Sequence, residues 1–124
     1  DADHFKNGND KYGHSTGDQV LKGIVDVLKG AVRDSDVVGR YGGEEFAIVA
    51  WCKGRPAARE LAERIRKKIE STDFYYRGEK IPNVTVSVGV EQYDKKFEID
   101  EIVEQADHNL YIAKRGGGNR VVMG

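Results

Sequence analysis

Apolar patterns of helical and of extended type alternate along this chain of 124 residues. Residues 17–33, 58–69 and 99–113 each carry apolar side chains at the spacing of one helix face. Residues 36–51 are typical of a β-hairpin, and residues 84–90 alternate valines with small side chains, as a strand with one apolar face does. Helices and strands interleaved around a hairpin predict an α/β domain with a mixed, partly antiparallel central sheet flanked by helices.

Short motifs mark where the predicted elements begin and end. Residues 16–19 have capping-box spacing, which predicts the start of the first helix. The glycine pair at 42–43 predicts a tight hairpin turn, because both residues accept a positive φ. The glycines at 116–118 predict the end of the third helix, and the valines at 121–122 predict a short closing strand.

Length and composition exclude several classes of protein. A chain of this size is one domain with enough buried surface for its own core. Twenty basic and 21 acidic residues give a net charge of −1, which disfavours polymeric DNA or RNA as a partner. Cys52 is the only cysteine, so an internal disulfide and a cysteine zinc site are excluded. The apolar runs are too short for a transmembrane helix, and we expect no membrane contact by this domain.

The first residues are acidic and typical of a loop, with no strand pattern before them. A sheet built around the hairpin needs a buried strand just upstream of Asp1. We therefore expect residues 1–124 to be a single domain and an N-terminally truncated fragment of a longer protein.

Four carboxylates are candidates for chemistry: Asp1, Asp3, Glu44 and Glu45. Two adjacent glutamates at the start of a strand place one side chain on each face. If Asp1 ends a strand beside the hairpin, Asp1 and Glu44 converge, and they repel by a few kcal/mol at an effective dielectric of about 20 unless a cation lies between them. All-oxygen ligands favour Mg²⁺ or Mn²⁺. The alternative is that these carboxylates simply face water on a turn.

A polar, glycine-rich segment follows over residues 5–14. Its amides and Lys6 are suited to binding phosphate oxygens. Asn9 and Asp18 carry the amide and carboxylate that match the donor and acceptor edge of guanine. The alternative is a surface loop built from Asx-turns.

Four ordered blocks together resemble the GGDEF domain of diguanylate cyclases, over essentially the whole chain. The Gly-Gly-Glu-Glu-Phe block is a common active form of the family signature. The four blocks are Asp1-Ala2-Asp3-His4-Phe5-Lys6 with Asn9-Asp10, Gly13-His14 and Gly17-Asp18; Arg40-Tyr41-Gly42-Gly43-Glu44-Glu45-Phe46; Thr85-Val86-Ser87-Val88-Gly89-Val90; and Ala106-Asp107 with Leu110-Tyr111 and Ala113-Lys114.

The resemblance implies a fold of the nucleotidyl-cyclase or palm type and a bacterial signalling enzyme. Two GTP molecules condense to cyclic di-GMP with release of two pyrophosphates. Each domain of a face-to-face homodimer holds one GTP, which suits a product with twofold symmetry. The resemblance also implies a cytoplasmic domain, with any membrane anchor lying in the missing upstream part.

The resemblance assigns roles to the acidic motif. Asp1 and Glu44 are expected to bind the divalent metal, Mg²⁺ or Mn²⁺, together with the carbonyl of Ala2. Glu45 is expected to be a further ligand or the group that helps to deprotonate the 3′-hydroxyl. Arg40 is expected to neutralise charge near the reacting phosphate.

The resemblance also assigns the substrate contacts. The region of Phe5 and Lys6 is expected to bind the β- and γ-phosphates of GTP, and Lys114 to reach them from the third helix. Asn9 and Asp18 are expected to recognise guanine. For Lys114 alone, the alternative is a solvated lysine near a helix C-terminus, where the helix dipole favours cations.

A second motif lies just upstream of the hairpin. Arg33 and Asp36 match the Arg-x-x-Asp motif that binds cyclic di-GMP as an inhibitor in many members of the family. Arg64, on the second helix, matches a position that completes this site from a partner domain. The alternative is an ordinary arginine and aspartate at a helix end.

The chain departs from the family pattern at Gly118, where an arginine that contacts phosphates is usual. Weaker GTP binding is expected unless Arg115 or Arg120 substitutes for it. This departure leaves open a catalytically impaired domain that binds cyclic di-GMP. A separate alternative is a metal-dependent nucleotidyl cyclase acting on another purine.

Overall fold

The computed structural model describes residues 1–3 and 14–124, with side chains from residue 17 onward in the second range. Over these residues it is an α/β domain, which confirms the predicted fold class. The elements in chain order are α1 (His14–Ala31), β1 (Val37–Arg40), β2 (Phe46–Val49), α2 (Gly54–Glu70), β3 (Phe74–Tyr76), β4 (Glu79–Ile81), β5 (Val88–Val90), α3 (Ile99–Arg115) and β6 (Val121–Met123).

The strands pair in both directions. β1 and β2 are antiparallel, with Val37 opposite Val49, and β3 and β4 form a second antiparallel pair. β5 and β6 are parallel. Ala2 adds a single antiparallel bridge to Val86, which brings the first residues of the chain next to the segment before β5.

The core lies between α1, α2 and the strand residues. Ile24 of α1 and Ile69 of α2 are fully buried, and Phe74, Val86 and Ala2 pack in the same cluster. Burying each large side chain contributes roughly 1.5–3 kcal/mol, so this cluster is a main source of stability. Ala2 belongs to it, and the core therefore fixes the position of the acidic residues on either side of Ala2.

Two predictions about element ends are wrong. α1 begins at His14, so residues 16–19 lie inside the helix rather than at its start. Gly42 and Gly43 do not adopt positive φ, and the hairpin loop spans residues 41–45 instead of a tight turn. The longer loop closes because the N–H groups of Tyr41 and Gly42 both donate to the carbonyl of Glu45, at 2.9 and 3.3 Å.

β5 and α3 approach each other closely at Gly89. A Cβ at this position would lie 2.1 Å from the carbonyl oxygen of Ala106 and 2.4 Å from the nitrogen of Leu110. Glycine thus permits the backbones of the strand and the helix to touch. No helix in the described part of the chain is both long and apolar enough to cross a membrane.

Candidate active site

The first three residues run alongside the segment before β5. Asp1 and Ser87 exchange two main-chain hydrogen bonds, each of 3.0 Å, and the N–H of Asp3 donates to the carbonyl of Thr85 at 2.9 Å. This antiparallel pairing holds the acidic segment in an extended conformation. It turns Asp1 and Asp3 to the same side, because alternate side chains of an extended segment share a face.

The opposite edge of the same segment contacts the hairpin loop. The N–H of Ala2 donates to the carbonyl of Glu44 at 3.2 Å. Asp1 and Glu44 therefore belong to neighbouring segments that are hydrogen-bonded directly. The side chains of Glu44 and Glu45 are half-buried.

Lys114 reaches the acidic segment from the last turn of α3. Its Nζ lies 2.8 Å from Oδ1 of Asp1, 2.8 Å from Oδ1 of Asp3 and 3.0 Å from the carbonyl oxygen of Ala2. The Asp1 carboxylate and the Ala2 carbonyl thus converge on one cationic nitrogen. These two groups are also two of the three ligands that the sequence predicts for a divalent metal.

Asp3 is buried, with its side chain 3% exposed. It accepts hydrogen bonds from Ser87 Oγ at 2.7 Å, Thr85 Oγ1 at 2.9 Å and the N–H of Asn119 at 2.7 Å, in addition to Lys114. Burial raises the pKa of Asp3, but these four hydrogen bonds outweigh burial and leave the pKa below its ordinary value. Asp3 therefore stays ionised and anchors Lys114.

Gly118 lies directly against this carboxylate. Its φ is +76°, and a Cβ there would lie 3.0 Å from Oδ1 and 3.2 Å from Oδ2 of Asp3. Arg120 donates from Nε to the Gly118 carbonyl at 3.1 Å, and Arg115 lies over the ring of Tyr111 at 5.9 Å. The glycine is thus required by the local backbone, and both neighbouring arginines already have contacts.

Arg40 stabilises the hairpin loop. Its Nε lies 3.1 Å from the carbonyl oxygens of both Gly42 and Gly43. Charged donors to main-chain carbonyls give the stronger class of hydrogen bond. Arg40 thus brings a positive charge to the loop that carries Glu44 and Glu45.

The structure joins the predicted metal-binding positions Ala2 and Glu44 through one main-chain hydrogen bond, and Lys114 contacts Asp1 and Ala2. Asp18 is exposed on α1. The predicted substrate contacts Phe5, Lys6 and Asn9 lie outside the described residues. Within the described ranges, no group of three or more histidine, cysteine, aspartate or glutamate side chains is arranged to hold a metal.

The second predicted motif forms a compact cluster at the end of α1. Arg33 N–H donates to Oδ2 of Asp36 at 3.0 Å, and Asp36 N–H donates to the carbonyl of Arg33 at 2.9 Å. Trp51 N–H donates to Oδ1 of Asp36 at 3.2 Å. The pKa of Asp36 lies below its ordinary value, chiefly because the N–H of Arg33 donates a hydrogen bond to its carboxylate. The hydrogen bond from the N–H of Trp51 and the positive charge of Arg33 lower the pKa further.

Arg64 joins this cluster from α2. Its Nη2 donates to the carbonyl of Ala31 at 2.9 Å, two residues before Arg33. The sequence predicts a contribution from a partner domain. In the structure the Arg64 guanidinium lies against the α1 end of its own chain.

Sequence reasoning missed four residues of these two sites. Thr85 and Ser87 belong to the small polar face of a predicted strand, and that face was the available signal for a buried polar partner. Asn119 contributes through its main chain, which no side-chain motif reveals. Trp51 also contacts the second cluster through its main chain.

Comparison with known proteins agrees with this architecture. The family model described as "Diguanylate cyclase, GGDEF domain" matches residues 1–120. The chain belongs to this family of α/β domains.

Particular relatives and solved structures show the same likeness. Diguanylate cyclase A of Treponema denticola is 46% identical over 124 residues, covering 99% of this chain and 33% of the relative. Diguanylate cyclase VdcA of Vibrio cholerae is 40% identical, with 98% and 37% covered. The GGDEF domain of DgcB from Caulobacter crescentus, solved in complex with c-di-GMP, has a TM-score of 0.93 at 36% identity, covering 99% of this chain and 73% of that one. The chain thus spans about a third of the length of these curated relatives.

Proposed function

We propose that this chain is the catalytic domain of a diguanylate cyclase, which condenses two GTP molecules to cyclic di-GMP and releases two pyrophosphates. The observation that carries the proposal is the convergence of Asp1 Oδ1 and the Ala2 carbonyl on one cationic nitrogen, beside the main chain of Glu44. Relatives at 38–46% identity that are named diguanylate cyclases support the same reaction.

The donor atoms at this position fit a divalent cation. All are oxygens, which suits Mg²⁺ or Mn²⁺, and they already attract the ammonium of Lys114. Asp1, Glu44 and the Ala2 carbonyl would hold the metal. When bound, a divalent cation makes a hydroxyl easier to ionise and neutralises charge on a pyrophosphate leaving group.

The chain's own residues supply positioning and charge. The 3′-oxygen of one GTP forms a bond to the α-phosphorus of the other, the bond to pyrophosphate breaks, and the hydroxyl proton passes to Glu45 or to water. Lys114, anchored by Asp3, is placed to bind phosphate oxygens near Asp1. Arg40 holds a positive charge at the loop of Glu44 and Glu45, where it would neutralise charge on the reacting phosphate. These roles are electrostatic and positional, as is usual for phosphoryl chemistry.

Recognition of guanine would fall to Asp18 together with Asn9, and binding of the β- and γ-phosphates to the region of Phe5 and Lys6. A carboxylate that accepts from the guanine N–H groups is left unpaired by adenine, which disfavours ATP. Competition of ATP against GTP tests this assignment. A preference for ATP would exclude it and support a cyclase for another purine.

The reaction needs two copies of the domain, because each copy holds one GTP. The decisive experiment incubates the protein, fused to a dimerising coiled coil, with GTP and Mg²⁺ and separates the products by chromatography. Cyclic di-GMP and pyrophosphate in a ratio of one to two are expected. If neither is formed while the domain is folded, the chain is not a cyclase.

Product feedback through the Arg33 cluster is a further part of the proposal. The side chain of Arg33 is 69% exposed while that of Asp36 is 2% exposed, so the guanidinium has N–H donors open to a phosphate or guanine besides the one on the Trp51 carbonyl. Arg64 adds a second positive charge nearby. Arg33→Ala is expected to relieve inhibition by added cyclic di-GMP, and inhibition that persists would refute the assignment.

The second candidate function is a binding module without synthesis. Gly118 favours it, because the family's usual arginine at this position would add a charge-assisted hydrogen bond to phosphate worth roughly 1.5–3 kcal/mol. Retained binding of cyclic di-GMP with no turnover of GTP would identify this function.

A further inference from the structure

The main chain of Trp51 is held by hydrogen bonds, whereas its side chain is exposed to solvent. Its N–H donates to Oδ1 of Asp36 at 3.2 Å, and its carbonyl accepts from Nη2 of Arg33. The residue as a whole is nevertheless 76% exposed. The main chain of Trp51 is thus held at both polar groups beside the Arg33–Asp36 pair, and its indole is largely open to solvent.

Asp36 is buried at its side chain, whereas Arg33 and Trp51 are exposed, and their roles in this cluster differ accordingly. The carboxylate of Asp36 is buried and orders the main chain of both neighbours. The guanidinium of Arg33 is exposed and keeps further N–H donors beyond those used within the chain. The exposed guanidinium and the exposed indole belong to two residues whose main-chain N–H groups donate to the same carboxylate. The guanidinium suits the acceptor edge of a purine nucleotide, and the indole suits its ring face.

We propose that the indole of Trp51 stacks on a guanine base of cyclic di-GMP bound by Arg33, and so sets the affinity of the feedback site. The inference rests on the proposed function, because the ligand is the product of that reaction. Guanine is favoured since its O6 and N7 atoms form two acceptors that match the arginine fork. Stacking of a base on an aromatic side chain lowers the dissociation constant by a factor of about five to one hundred.

The chain offers a direct optical test, because Trp51 is its only tryptophan. Titration with cyclic di-GMP is expected to quench the tryptophan fluorescence, with the same dissociation constant that calorimetry gives. A guanine in contact with the indole quenches it, whereas binding elsewhere leaves the emission unchanged. Arg33→Ala, measured in the same way, is expected to abolish the quenching.

Calorimetry on variants gives the second readout. Trp51→Ala is expected to weaken cyclic di-GMP binding by about five- to a hundredfold, and Trp51→Phe by less because a ring remains. Tyr75→Ala, at an exposed aromatic on β3, is the matched control and is expected to bind as the parent does. Thermal unfolding of each variant is followed in parallel to confirm that it is folded.

The outcomes separate this inference from the proposed function. If the parent binds, Arg33→Ala fails to bind and Trp51→Ala binds as the parent does, the feedback site stands and the role of Trp51 is wrong. If Trp51→Ala alters only the oligomeric state, the indole is a contact between copies of the chain and the inference is overturned. If the parent does not bind cyclic di-GMP at all, both the feedback site and this inference fail, while synthesis from GTP is judged by its own assay.

Discussion

The N–H of Ala2 donates a hydrogen bond of 3.2 Å to the carbonyl oxygen of Glu44. This bond joins the first segment of the chain to a hairpin loop more than 40 residues away. It uses the main chain of Glu44 and leaves the carboxylate available. Substitution of the Glu44 side chain therefore tests the chemistry without removing the contact that organises the site.

Glu44→Gln is expected to lower cyclic di-GMP synthesis by about a hundredfold or more, because several kcal/mol of charge stabilisation corresponds to at least two powers of ten in rate. The free energy of unfolding is expected to change by less than about 0.5 kcal/mol. Product formation and chemical denaturation measure the two quantities. Glu79→Gln, at an exposed glutamate on β4, is the matched control. Undiminished synthesis in Glu44→Gln would exclude Glu44 as a metal ligand.

Lys114→Met is expected to destabilise the domain by about 1–3 kcal/mol, because the buried carboxylate of Asp3 loses its cationic partner. Lys80→Ala removes an ion pair with Asp73 whose two side chains are exposed, and it is expected to cost less than about 1 kcal/mol. Urea denaturation of both variants gives the comparison. Equal losses for the two lysines would show that the Asp3 contact is no stronger than a surface pair.

Gly118→Arg restores the residue usual in the family, yet it is expected to destabilise the domain by about 1–3 kcal/mol. A non-glycine residue at φ +76° is strained, and its Cβ would press on Asp3. Gly30→Arg is the matched control, because no atom lies within 4 Å of a Cβ there and arginine is the better helix former. A Gly118→Arg protein as stable as the parent would show that the turn adopts a different backbone in the variant.

Gly89→Ala is expected to cost about 3 kcal/mol or more, since its Cβ would meet main-chain atoms of α3 that cannot rotate away. Gly39→Ala, on β1 with nothing within 4 Å, is expected to change the free energy of unfolding by less than about 0.5 kcal/mol. Thermal and urea unfolding distinguish them. A small change in the free energy of unfolding at both positions would mean that β5 and α3 can move apart without loss of stability.

The Asp36 carboxylate gives a pH-dependent contribution to stability. Its folded-state pKa is lowered, so the contribution is present above the ordinary aspartate pKa of about 3.9 and is lost as the pH falls through the lower folded value. Asp36→Asn keeps one acceptor, as a protonated aspartate does. The difference in unfolding free energy between parent and variant is expected at pH 7 and should vanish toward the acid end of the titration. A difference independent of pH would assign the effect to shape rather than charge.

Elements with strong local signals were predictable from the sequence. The three glycines at 116–118 correctly predicted the C-terminal end of α3, because Gly117 and Gly118 adopt the positive φ that ends a helix. The β3–β4 hairpin was missed. Its strands are three residues long, and its turn places Arg77 at φ 50°, a conformation that the residue type does not suggest.

The candidate site was predictable only as a set of residue types. The sequence predicted that Asp1 and Glu44 would converge if Asp1 ended a strand beside the hairpin, and the main chains of Ala2 and Glu44 are hydrogen-bonded. It gave no sign that Lys114 would bind Asp1 and Asp3, because that contact depends on how α3 packs against β5 and β6. Hydrogen bonds to Asp3 join residues that are 82 to 116 positions apart, and no local pattern encodes them.

These long separations have a consequence for synthesis of the protein in the cell. The N–H of Asn119 is the most distant donor to Asp3, so a ribosome-bound chain cannot complete the anchor of Lys114 until that residue has emerged. Contacts between sequence-distant residues form late in folding. A nascent chain therefore carries its acidic motif well before it can acquire the assembled site, which has to wait for Asn119 to emerge.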